Sequence, residues 1–337
     1  MKIAVTGGAG FIGTVLIKNL LEQGHEAFWL DIRDSEIHPD QGQNVDVTHQ
    51  EALTGALKGT DAVYHLAAEH ADDVEPVQKY YDVNVGGARC LVEACEKNGI
   101  HTIIFTSTVA VYGLDAGESK EDSPPAPFND YGKSKLEAEK IFEDWARGDT
   151  ERKLVTVRPV VIFGPRNRGN IFNLMRQIAS GKFLMIGDGQ NKKSIGYVGN
   201  IAAFLVFCLE QKKGAHIYNY ADKPDMSMNV MVGAIRKAMG LDGLGIRLPY
   251  PLGLSGGAAF DALAKMTGRK FPISLIRVKK FCANTVVSAQ RLEETGFQRP
   301  FTLEHGLKDM VETEFPPGAK KKTLNDPDHQ STNRKAA

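Results

Sequence analysis

The stretch KIAVTGGAGFIG, residues 2–13, decides the fold, because a short apolar run leads directly into a turn rich in glycine. An amphipathic segment, 14–23, follows, so the predicted order is strand, turn and helix. Gly7 and Gly10 let the backbone turn tightly and approach a ligand, and Gly13 lets the helix pack against the strand. The helix then directs its N-terminus at the pyrophosphate of a dinucleotide. Three glycines alone equally suit an ordinary tight turn.

The residue that discriminates between cofactors is Asp31, which ends the next apolar run, 27–30, eighteen positions after Gly13. An acid at this position binds a ribose 2′-hydroxyl and repels a 2′-phosphate. The sequence therefore favours NAD over NADP, and the nearby Arg33 weakens that preference.

Composition places the chain among ordinary soluble proteins and excludes several function classes. The 337 residues include 41 basic and 41 acidic side chains, so no overall charge points to nucleic acid. The four cysteines form no CxxC pair and no metal-ligand spacing, which indicates a reducing compartment and no metal. The chain begins directly with the first predicted strand, and no apolar run reaches about 18 residues, so we expect neither a signal peptide nor a spanning helix.

Strand-like and helix-like segments alternate along the first half of the chain. This alternation predicts an α/β fold with a Rossmann-type, doubly wound parallel sheet and helices on both faces. The predicted strands are 3–5, 27–30, 44–47, 61–67, 102–108, 154–160, 183–186 and 216–220. The predicted helices are 14–23, 50–57, 75–98, 131–147, 201–211, 229–239 and 303–314.

The alternation becomes irregular after about residue 165, which suggests three regions. Residues 1–165 form the predicted dinucleotide-binding domain, to which later segments add strands and helices. Residues 166–315 form a smaller, mixed α/β portion for substrate binding. Residues 316–337 contain almost no large apolar side chains and are expected to be a disordered tail.

A candidate catalytic pair follows the dinucleotide turn. Tyr131 and Lys135 lie four positions apart in a predicted helix, so both side chains face the same side. A lysine ammonium near a phenol should lower the tyrosine pKa, and a hydroxyl at the end of strand 102–108 would hold a substrate oxygen. These groups suit proton removal from an alcohol while a nicotinamide accepts hydride. Alone, such a pair more often belongs to a solvated helix face.

These motifs together resemble the extended short-chain dehydrogenase/reductase family, the NAD-dependent epimerases and dehydratases, over residues 1–315. The resemblance implies that Tyr131, Lys135 and Thr108 are catalytic, with Ser107 beside them. It also implies a set of residues that bind NAD: Gly7, Gly10, Phe11, Ile12, Gly13, Asp31, Asp46, Val47, Leu66, Ala67, Ala68, Asn84, Tyr131, Lys135 and Pro159. Family members often pair through two helices of each subunit, so a homodimer is expected by analogy.

Departures from the family pattern narrow the reaction. Sugar dehydratases of the family carry an acid at the strand end where this chain has Ser107 and Thr108, so dehydration is disfavoured. Epimerases of UDP-sugars usually carry an asparagine after the sixth strand, where this chain has the apolar run 160–162.

The substrate half resembles one subgroup, the bacterial 4-epimerases whose N-acetylglucosamine is linked through diphosphate to undecaprenol. The shared stretches include 67–74, 80–85, 166–170, 193–200, 218–225, 248–253 and 277–283. The resemblance implies interconversion of N-acetylglucosamine and N-acetylgalactosamine on undecaprenyl diphosphate, through a 4-keto sugar, for O-antigen and lipopolysaccharide synthesis. The implied substrate-binding residues are Glu69, His70, Thr108, Arg166, Arg168, Asn170 and Lys193.

One stretch, 248–282, combines large apolar side chains with six basic ones. Such a mixture suits the anionic face of a bilayer, and it equally suits a pair of core-packing helices with a solvated basic side. Together with the lipid-linked substrate, it predicts a cytoplasmic protein that is peripheral on the cytoplasmic face of the inner membrane.

Three other functions remain open at this stage. A 4-epimerase of soluble UDP-N-acetylhexosamines would use the same chemistry without a lipid. An NAD-dependent dehydrogenase of a sterol-like alcohol would accumulate NADH. A non-catalytic NAD-sensing module would not need Tyr131 and Lys135.

Overall fold

The structure, a computed structural model, describes residues 1–71, 74–113, 117–268 and 274–316. It divides the chain into two compact units, neither of which is continuous in sequence. The first comprises Met1–Ile162, Ser194–Asp225 and Thr285–Thr302, and the second comprises Phe163–Lys193, Met226–Asn284 and the remainder from Leu303. The sequence placed a domain boundary near residue 165, with later segments returning to the first domain.

The strands are short and mostly buried. In chain order they are β1 (Lys2–Thr6), β2 (Glu26–Asp31), β3 (Gly42–Asn44), β4 (Ala62–His65), β5 (Thr102–Thr106), β6 (Lys153–Pro159), β7 (Val161–Phe163), β8 (Leu184–Ile186), β9 (Lys192–Tyr197), β10 (Gly214–Tyr220), β11 (Asp222–Ser227) and β12 (Ile246–Leu248).

The α-helices include several that are long enough to form amphipathic faces. They are α1 (Phe11–Glu22), α2 (Gln50–Ala56), α3 (Gln78–Tyr81), α4 (Gly87–Asn98), α5 (Asp130–Arg147), α6 (Asn170–Ala179), α7 (Val198–Phe207), α8 (Met228–Ala238), α9 (Tyr250–Thr267), α10 (Leu275–Cys282), α11 (Gln290–Glu294) and α12 (Leu303–Glu314). A π-helical turn, Asp82–Gly86, joins α3 to α4, and a 3₁₀ turn, Val109–Tyr112, follows β5.

Seven parallel strands form the central sheet of the first unit, in the order β10-β6-β5-β4-β1-β2-β3. The residues of the inner strands are mostly buried because helices cover both faces, whereas the edge strand β3 is exposed. One apolar cluster joins the sheet to α1 and α7 through Leu16, Leu20 and Phe204. The other joins it to α2, α4 and α5 through Leu91 and Phe142. This arrangement confirms the predicted doubly wound α/β fold and brings the carboxyl ends of the strands to one edge.

Two predicted elements differ from the structure in instructive ways. The predicted strand 44–47 is replaced by β3, which ends at Asn44. Val45 and Val47 are buried for another reason: Val45 packs in an apolar cluster, and Val47 lies against Gly87. The predicted helix 75–98 starts only at Gln78, and the π-helical turn Asp82–Gly86 divides it into α3 and α4.

The second unit contains a small parallel sheet, in which β8 pairs with β12, and several helices around it. Helix α12 packs on α8, and α10 packs on α9. The sequence did not predict α6, whereas α9 and α10 fall within 248–282, where a pair of core-packing helices was one of two interpretations. Among the described residues, no helix has the length and apolar character needed to cross a membrane. The predicted disordered tail from residue 317 onward lies outside the described residues.

Candidate active site

The glycine turn between β1 and α1 is closed so tightly that side chains do not fit. Gly7 has a φ of +70°, and a Cβ there would lie 2.6 Å from the backbone nitrogen of Ala67. A Cβ on Gly13 would lie 2.6 Å from the carbonyl oxygen of Gly7. Gly10 is the N-cap of α1 and supplies no capping side chain, so Phe11 and Ile12 begin the helix with backbone donors only. This terminus suits a phosphate group.

Asp31 lies at the end of β2, beside the same turn, and its side chain is buried. One carboxylate oxygen accepts a hydrogen bond from the backbone nitrogen of Ala9 at 3.2 Å, and the other accepts one from Arg33 at 3.2 Å. Burial raises the pKa of Asp31, and these bonds and the Arg33 charge act against that rise. An acid fixed beside the turn is suitably placed for a ribose hydroxyl.

The loops after β3 and β4 complete this edge of the sheet. Asp46 accepts hydrogen bonds from the backbone and hydroxyl of Thr48 at 2.9 and 2.8 Å, which closes a turn next to the buried Val47. Leu66 donates to the carbonyl of Thr6 at 2.9 Å, so the loop that continues through Ala67 and Ala68 runs against the glycine turn.

Asn84 ties this edge to helix α5. Its amide oxygen accepts from the backbone nitrogen of Glu69 at 2.9 Å, and its amide nitrogen donates to the Glu69 carbonyl at 3.0 Å. The same nitrogen donates to the Ser134 hydroxyl at 2.9 Å, and Ser134 in turn donates to the Tyr131 carbonyl at 2.9 Å. A buried amide therefore holds the first turn of α5 beside the loop after β4.

Thr108 and Tyr131 bring two hydroxyl groups together. Thr108 caps the 3₁₀ turn after β5 by accepting a hydrogen bond from Ala110 at 3.1 Å. Tyr131 lies in the first turn of α5, where Asn129 caps the helix by accepting from Gly132 at 2.9 Å. Burial raises the pKa of Tyr131 to about 12, and a side-chain hydrogen bond with Thr108 opposes the rise.

Ser107 lies beside Thr108 and differs from it in its contacts. Its backbone nitrogen donates to the carbonyl of Val157 at 2.7 Å. Its hydroxyl is buried and has no hydrogen-bond partner in the structure. An unsatisfied buried hydroxyl at the end of a central strand is consistent with a position that receives a ligand.

Lys135 is more deeply buried than its predicted role suggests, which changes the expected pKa of Tyr131. Its ammonium group lies 4.2 Å from the ring centroid of Phe105, and the side chain is 2% exposed. Burial lowers the pKa of Lys135 to about 7, and the charge of Glu139 acts against that fall. The sequence predicted that the Lys135 ammonium lowers the pKa of Tyr131. In the structure burial dominates both groups, so the pKa of Tyr131 is raised instead.

His65, the last residue of β4, extends this buried cluster. Its Nδ1 lies 2.7 Å from the hydroxyl of Thr6, and its ring stacks on Phe105 with centroids 5.7 Å apart. Burial and then the charge of Lys135 lower the pKa of His65 to about 3. The imidazole is therefore neutral at physiological pH, beside the lysine.

A buried ion pair supports the cluster one turn further along α5. Arg158 on β6 donates to the two carboxylate oxygens of Glu139 at 2.9 and 2.6 Å, and to the hydroxyl of Tyr112 at 2.7 Å. Tyr112 donates to Asn219 on β10 at 2.7 Å. Pro159, the last residue of β6, is half-buried beside this network. No local sequence pattern indicates this network, because its members are distant in the chain.

Glu69 and His70 lie in the loop after β4, where the sequence also placed them. Glu69 forms an ion pair with Lys79 at 3.1 Å and accepts from the backbone nitrogen of His70 at 3.1 Å. Burial raises the pKa of Glu69, but the Lys79 contact and the backbone bonds outweigh it, so the net pKa is lowered. His70 is exposed. Their contact with a sugar stays a prediction.

The other predicted substrate residues belong to the second unit and already have protein partners. Arg168 forms an ion pair with Glu314, and the backbone nitrogen of Arg166 donates a hydrogen bond to the Glu314 carboxylate at 2.6 Å. Lys193 donates to two backbone carbonyls, at 2.6 and 3.0 Å. Asn170 is exposed at the start of α6. Their role in binding a diphosphate stays a prediction.

The residues at the sheet edge fit a dinucleotide. The glycine turn leaves a cradle that a Cβ would fill, α1 offers its N-terminus, and a buried carboxylate lies beside them. Tyr131, Lys135 and the orphaned hydroxyl of Ser107 lie at the ends of the adjacent strand and helix. Within the described residues, no group of three or more metal-ligating side chains is suited to a metal ion.

Comparisons with known proteins agree with this geometry. The NAD dependent epimerase/dehydratase family matches residues 3–221. The chain is 47% identical to the N-acetyl-α-D-glucosaminyl-diphospho-ditrans,octacis-undecaprenol 4-epimerase of Escherichia coli O157:H7, over 93% of this chain and 95% of that one. It is 31% identical to a UDP-glucose 4-epimerase of Vibrio cholerae, over 92% and 94%.

A solved structure extends the likeness to the fold. The UDP-N-acetylglucosamine 4-epimerase of Bacillus cereus superposes with a TM-score of 0.75 at 20% identity, over 96% of this chain and 99% of that one. Together these findings confirm the family resemblance that the motifs predicted.

Proposed function

Because this chain belongs to the NAD dependent epimerase/dehydratase family, we propose that it is a sugar 4-epimerase acting on N-acetylglucosamine linked through diphosphate to undecaprenol. The observation that carries the reaction type is that α5 places Tyr131 one turn before the buried Lys135, with the buried Thr108 just beyond the end of β5. The substrate is supported by the E. coli relative, because that similarity runs through both compact units.

The two hydroxyl groups have complementary tasks in this reaction. Thr108 holds the oxygen on C4 of the sugar, and Tyr131 accepts the proton of that hydroxyl. When bound, NAD would accept the C4 hydride on its nicotinamide ring and later return it to the sugar. The 4-keto sugar then rotates and presents its opposite face. Tyr131 returns the proton to the oxygen on C4 as the hydride returns to C4. Proton and hydride both return to the substrate, so the reaction balances without net oxidation.

Lys135 adjusts the basicity of Tyr131. At a pKa of about 7, part of the lysine population is charged at neutral pH. That charge stabilises the phenolate that forms when Tyr131 loses its proton. The Glu139 carboxylate favours the charged lysine, so the buried ion pair with Arg158 contributes to the chemistry from one turn away.

Several further assignments belong to the same proposal. Glu69 and His70 contact the sugar, and Arg166, Arg168 and Lys193 bind the diphosphate, which favours guanidinium and ammonium groups. Asn170 contributes from the start of α6. The protein acts at the cytoplasmic face of the inner membrane, where its product enters O-antigen synthesis.

Transfer of labelled hydrogen tests the proposal. The purified protein is incubated with the undecaprenol-linked substrate carrying deuterium on C4, and the sugar is then released. We expect N-acetylgalactosamine that retains the deuterium, without accumulation of NADH beyond the enzyme concentration. NADH that accumulates in proportion to substrate would instead identify a dehydrogenase, and loss of deuterium to water would exclude hydride return.

A second candidate is a 4-epimerase of soluble UDP-hexoses, which the similarity to the V. cholerae enzyme favours. The chemistry would be unchanged, and only the carrier of the sugar would differ. The same labelled hexosamine, offered on UDP, separates the two candidates by comparing their rates of conversion.

A further inference from the structure

The helix α9 has an outer side that is apolar and free of charge over most of its length. Leu252 is 58% exposed and Met266 is 84% exposed, and Leu263 between them is also exposed. Ala258, Ala259 and Ala262 share this exposure. Of its 18 residues, only Asp261 and Lys265 carry charge. Soluble helices ordinarily turn charged side chains to solvent, so this side is suited to a partner.

The inner side of α9 packs closely against other elements of the second unit. A Cβ on Gly253 would lie 2.4 Å from the side chain of Ile186, and a Cβ on Gly257 would lie 2.9 Å from the backbone nitrogen of Leu275. Asp261 accepts a hydrogen bond from that same nitrogen at 3.0 Å, which caps α10. The helix thus packs with one side, and the exposed apolar side is not part of the core.

Helix α10 adds basic charge to this surface. Val278 points into the unit, whereas Ile276 is 55% exposed and Arg277, Lys279 and Lys280 are exposed around it. Helices α9 and α10 together contain four basic side chains and one acidic one, although the whole chain has 41 of each. Positive charge is therefore concentrated next to the apolar side of α9.

We propose that the outer side of α9, with Ile276 and the basic residues of α10, docks on the surface of an anionic phospholipid bilayer. Apolar side chains that enter the headgroup region, flanked by lysines that pair with anionic lipid, form the usual surface of an interfacial helix. The inference rests on the proposed function, since docking would hold the second unit where the polyprenyl chain of the substrate is embedded.

The test uses vesicle flotation with the full chain. One variant, L252Q/L263Q/M266Q, removes the apolar contact, and another, K279E/K280E, reverses charge. Two controls match them: V230Q changes an apolar side chain of α8 that is also exposed, and K237E/K308E changes charge equally on α8 and α12. Vesicles contain phosphatidylcholine with or without about one quarter phosphatidylglycerol.

We expect the wild-type chain to float with the anionic vesicles and to release as salt is raised above about 0.1 M, where surface charges are screened. K279E/K280E should bind at least about tenfold more weakly, and the apolar variant should lose binding, while both controls bind as the wild type does. Equal binding by all five proteins would overturn the proposal. The proposal would also be overturned if the wild type were a dimer and the apolar variant a monomer. The outer side of α9 would then bind a second copy of the chain instead of a bilayer.

A soluble substrate separates this inference from the proposed function. Both docking variants should convert a short-chain, water-soluble analogue of the diphosphate-linked sugar at the wild-type rate, and should lose rate only on undecaprenol-linked sugar in vesicles. Absence of conversion by the wild type on either substrate would defeat the proposed function, even if the chain still binds vesicles. Normal conversion without vesicle binding would defeat only the docking surface.

Discussion

The cluster around Lys135 and the outer side of α9 both reverse the usual distribution of polar and apolar groups. In the first, a lysine and a histidine are buried against Phe105. In the second, Leu252 and Met266 are exposed. Burying a charge costs free energy, and exposing apolar area forgoes a stabilising contribution, so neither feature helps the unit to fold.

The two regions differ in how their side chains are held. Around Lys135, neighbouring polar groups are fixed by buried bonds such as Arg158 to Glu139, and glycines lie against backbone where no Cβ fits. On α9 the exposed side chains can change without disturbing the packed side. Substitutions should therefore be costly in the first region and tolerated in the second, and the following predictions test that contrast.

The largest effect is expected for Tyr131→Phe. Removing the hydroxyl deletes the group that accepts the C4 proton, so kcat should fall by about 10²–10⁴-fold. The ring remains, and NAD affinity should change less than about threefold. Single-turnover rates and NAD titration by fluorescence measure the two quantities. A variant with wild-type kcat would remove Tyr131 from the mechanism.

Breaking the buried ion pair should have the next largest effect. Glu139→Gln leaves Arg158 buried without a charged partner, and the free energy of unfolding should fall by about 3–5 kcal/mol. Glu143→Gln is the matched control, because Glu143 pairs with Arg147 on the exposed side of the same helix. That change should cost under about 1 kcal/mol in urea titrations. Equal losses would show that burial of the pair does not matter.

The glycine turn supplies a third prediction. Gly13→Ala forces a Cβ to within 2.6 Å of the Gly7 carbonyl, so the turn must open. We expect unfolding free energy to fall by about 1–3 kcal/mol and NAD affinity to drop about tenfold or more. Gly55→Ala, on α2 with no atom within 4 Å of the new Cβ, should stabilise slightly. Calorimetry with and without NAD compares the two.

His65 should make the protein sensitive to acid. Its folded pKa, about 3, lies below its ordinary value of 6.5. Between those values the unfolded chain binds more protons, so unfolding free energy should fall with decreasing pH, by up to about 1.4 kcal/mol per pH unit. His65→Gln should flatten this slope, and the exposed His49→Gln should not. An unchanged slope in His65→Gln would assign the effect to other groups.

The smallest effect is expected on the outer side of α9. Met266→Gln should change unfolding free energy by less than about 0.5 kcal/mol, because the side chain is 84% exposed. Met231→Gln, in the core of the same unit, should cost about 2 kcal/mol or more. If both variants lost stability equally, α9 would be packed and could not serve as a docking surface.

The features that the sequence predicted correctly depend on local spacing. A glycine turn, an acid at the end of the second strand and a tyrosine four residues before a lysine are each encoded within a short stretch. The alternation of apolar runs likewise predicted the parallel sheet, because the inner strands are buried on both faces.

The features that escaped prediction depend on distant partners. Arg158 meets Glu139 from another element, and His65 meets Thr6 across two strands. Burial by such partners also reversed the expected pKa shift of Tyr131. Helix α9 was only one of two interpretations of the stretch 248–282, because a mixture of apolar and basic side chains does not by itself show which side packs on a neighbour such as α10.

The most direct test of the central claim compares two carriers of the same sugar. The purified protein is incubated with N-acetylglucosaminyl-diphospho-undecaprenol and, separately, with UDP-N-acetylglucosamine, and kcat/KM for release of N-acetylgalactosamine is measured for each. The account predicts a kcat/KM at least about 100-fold higher for the lipid-linked sugar, a discrimination of about 2.7 kcal/mol. Equal values, or a preference for the UDP-sugar, would contradict it.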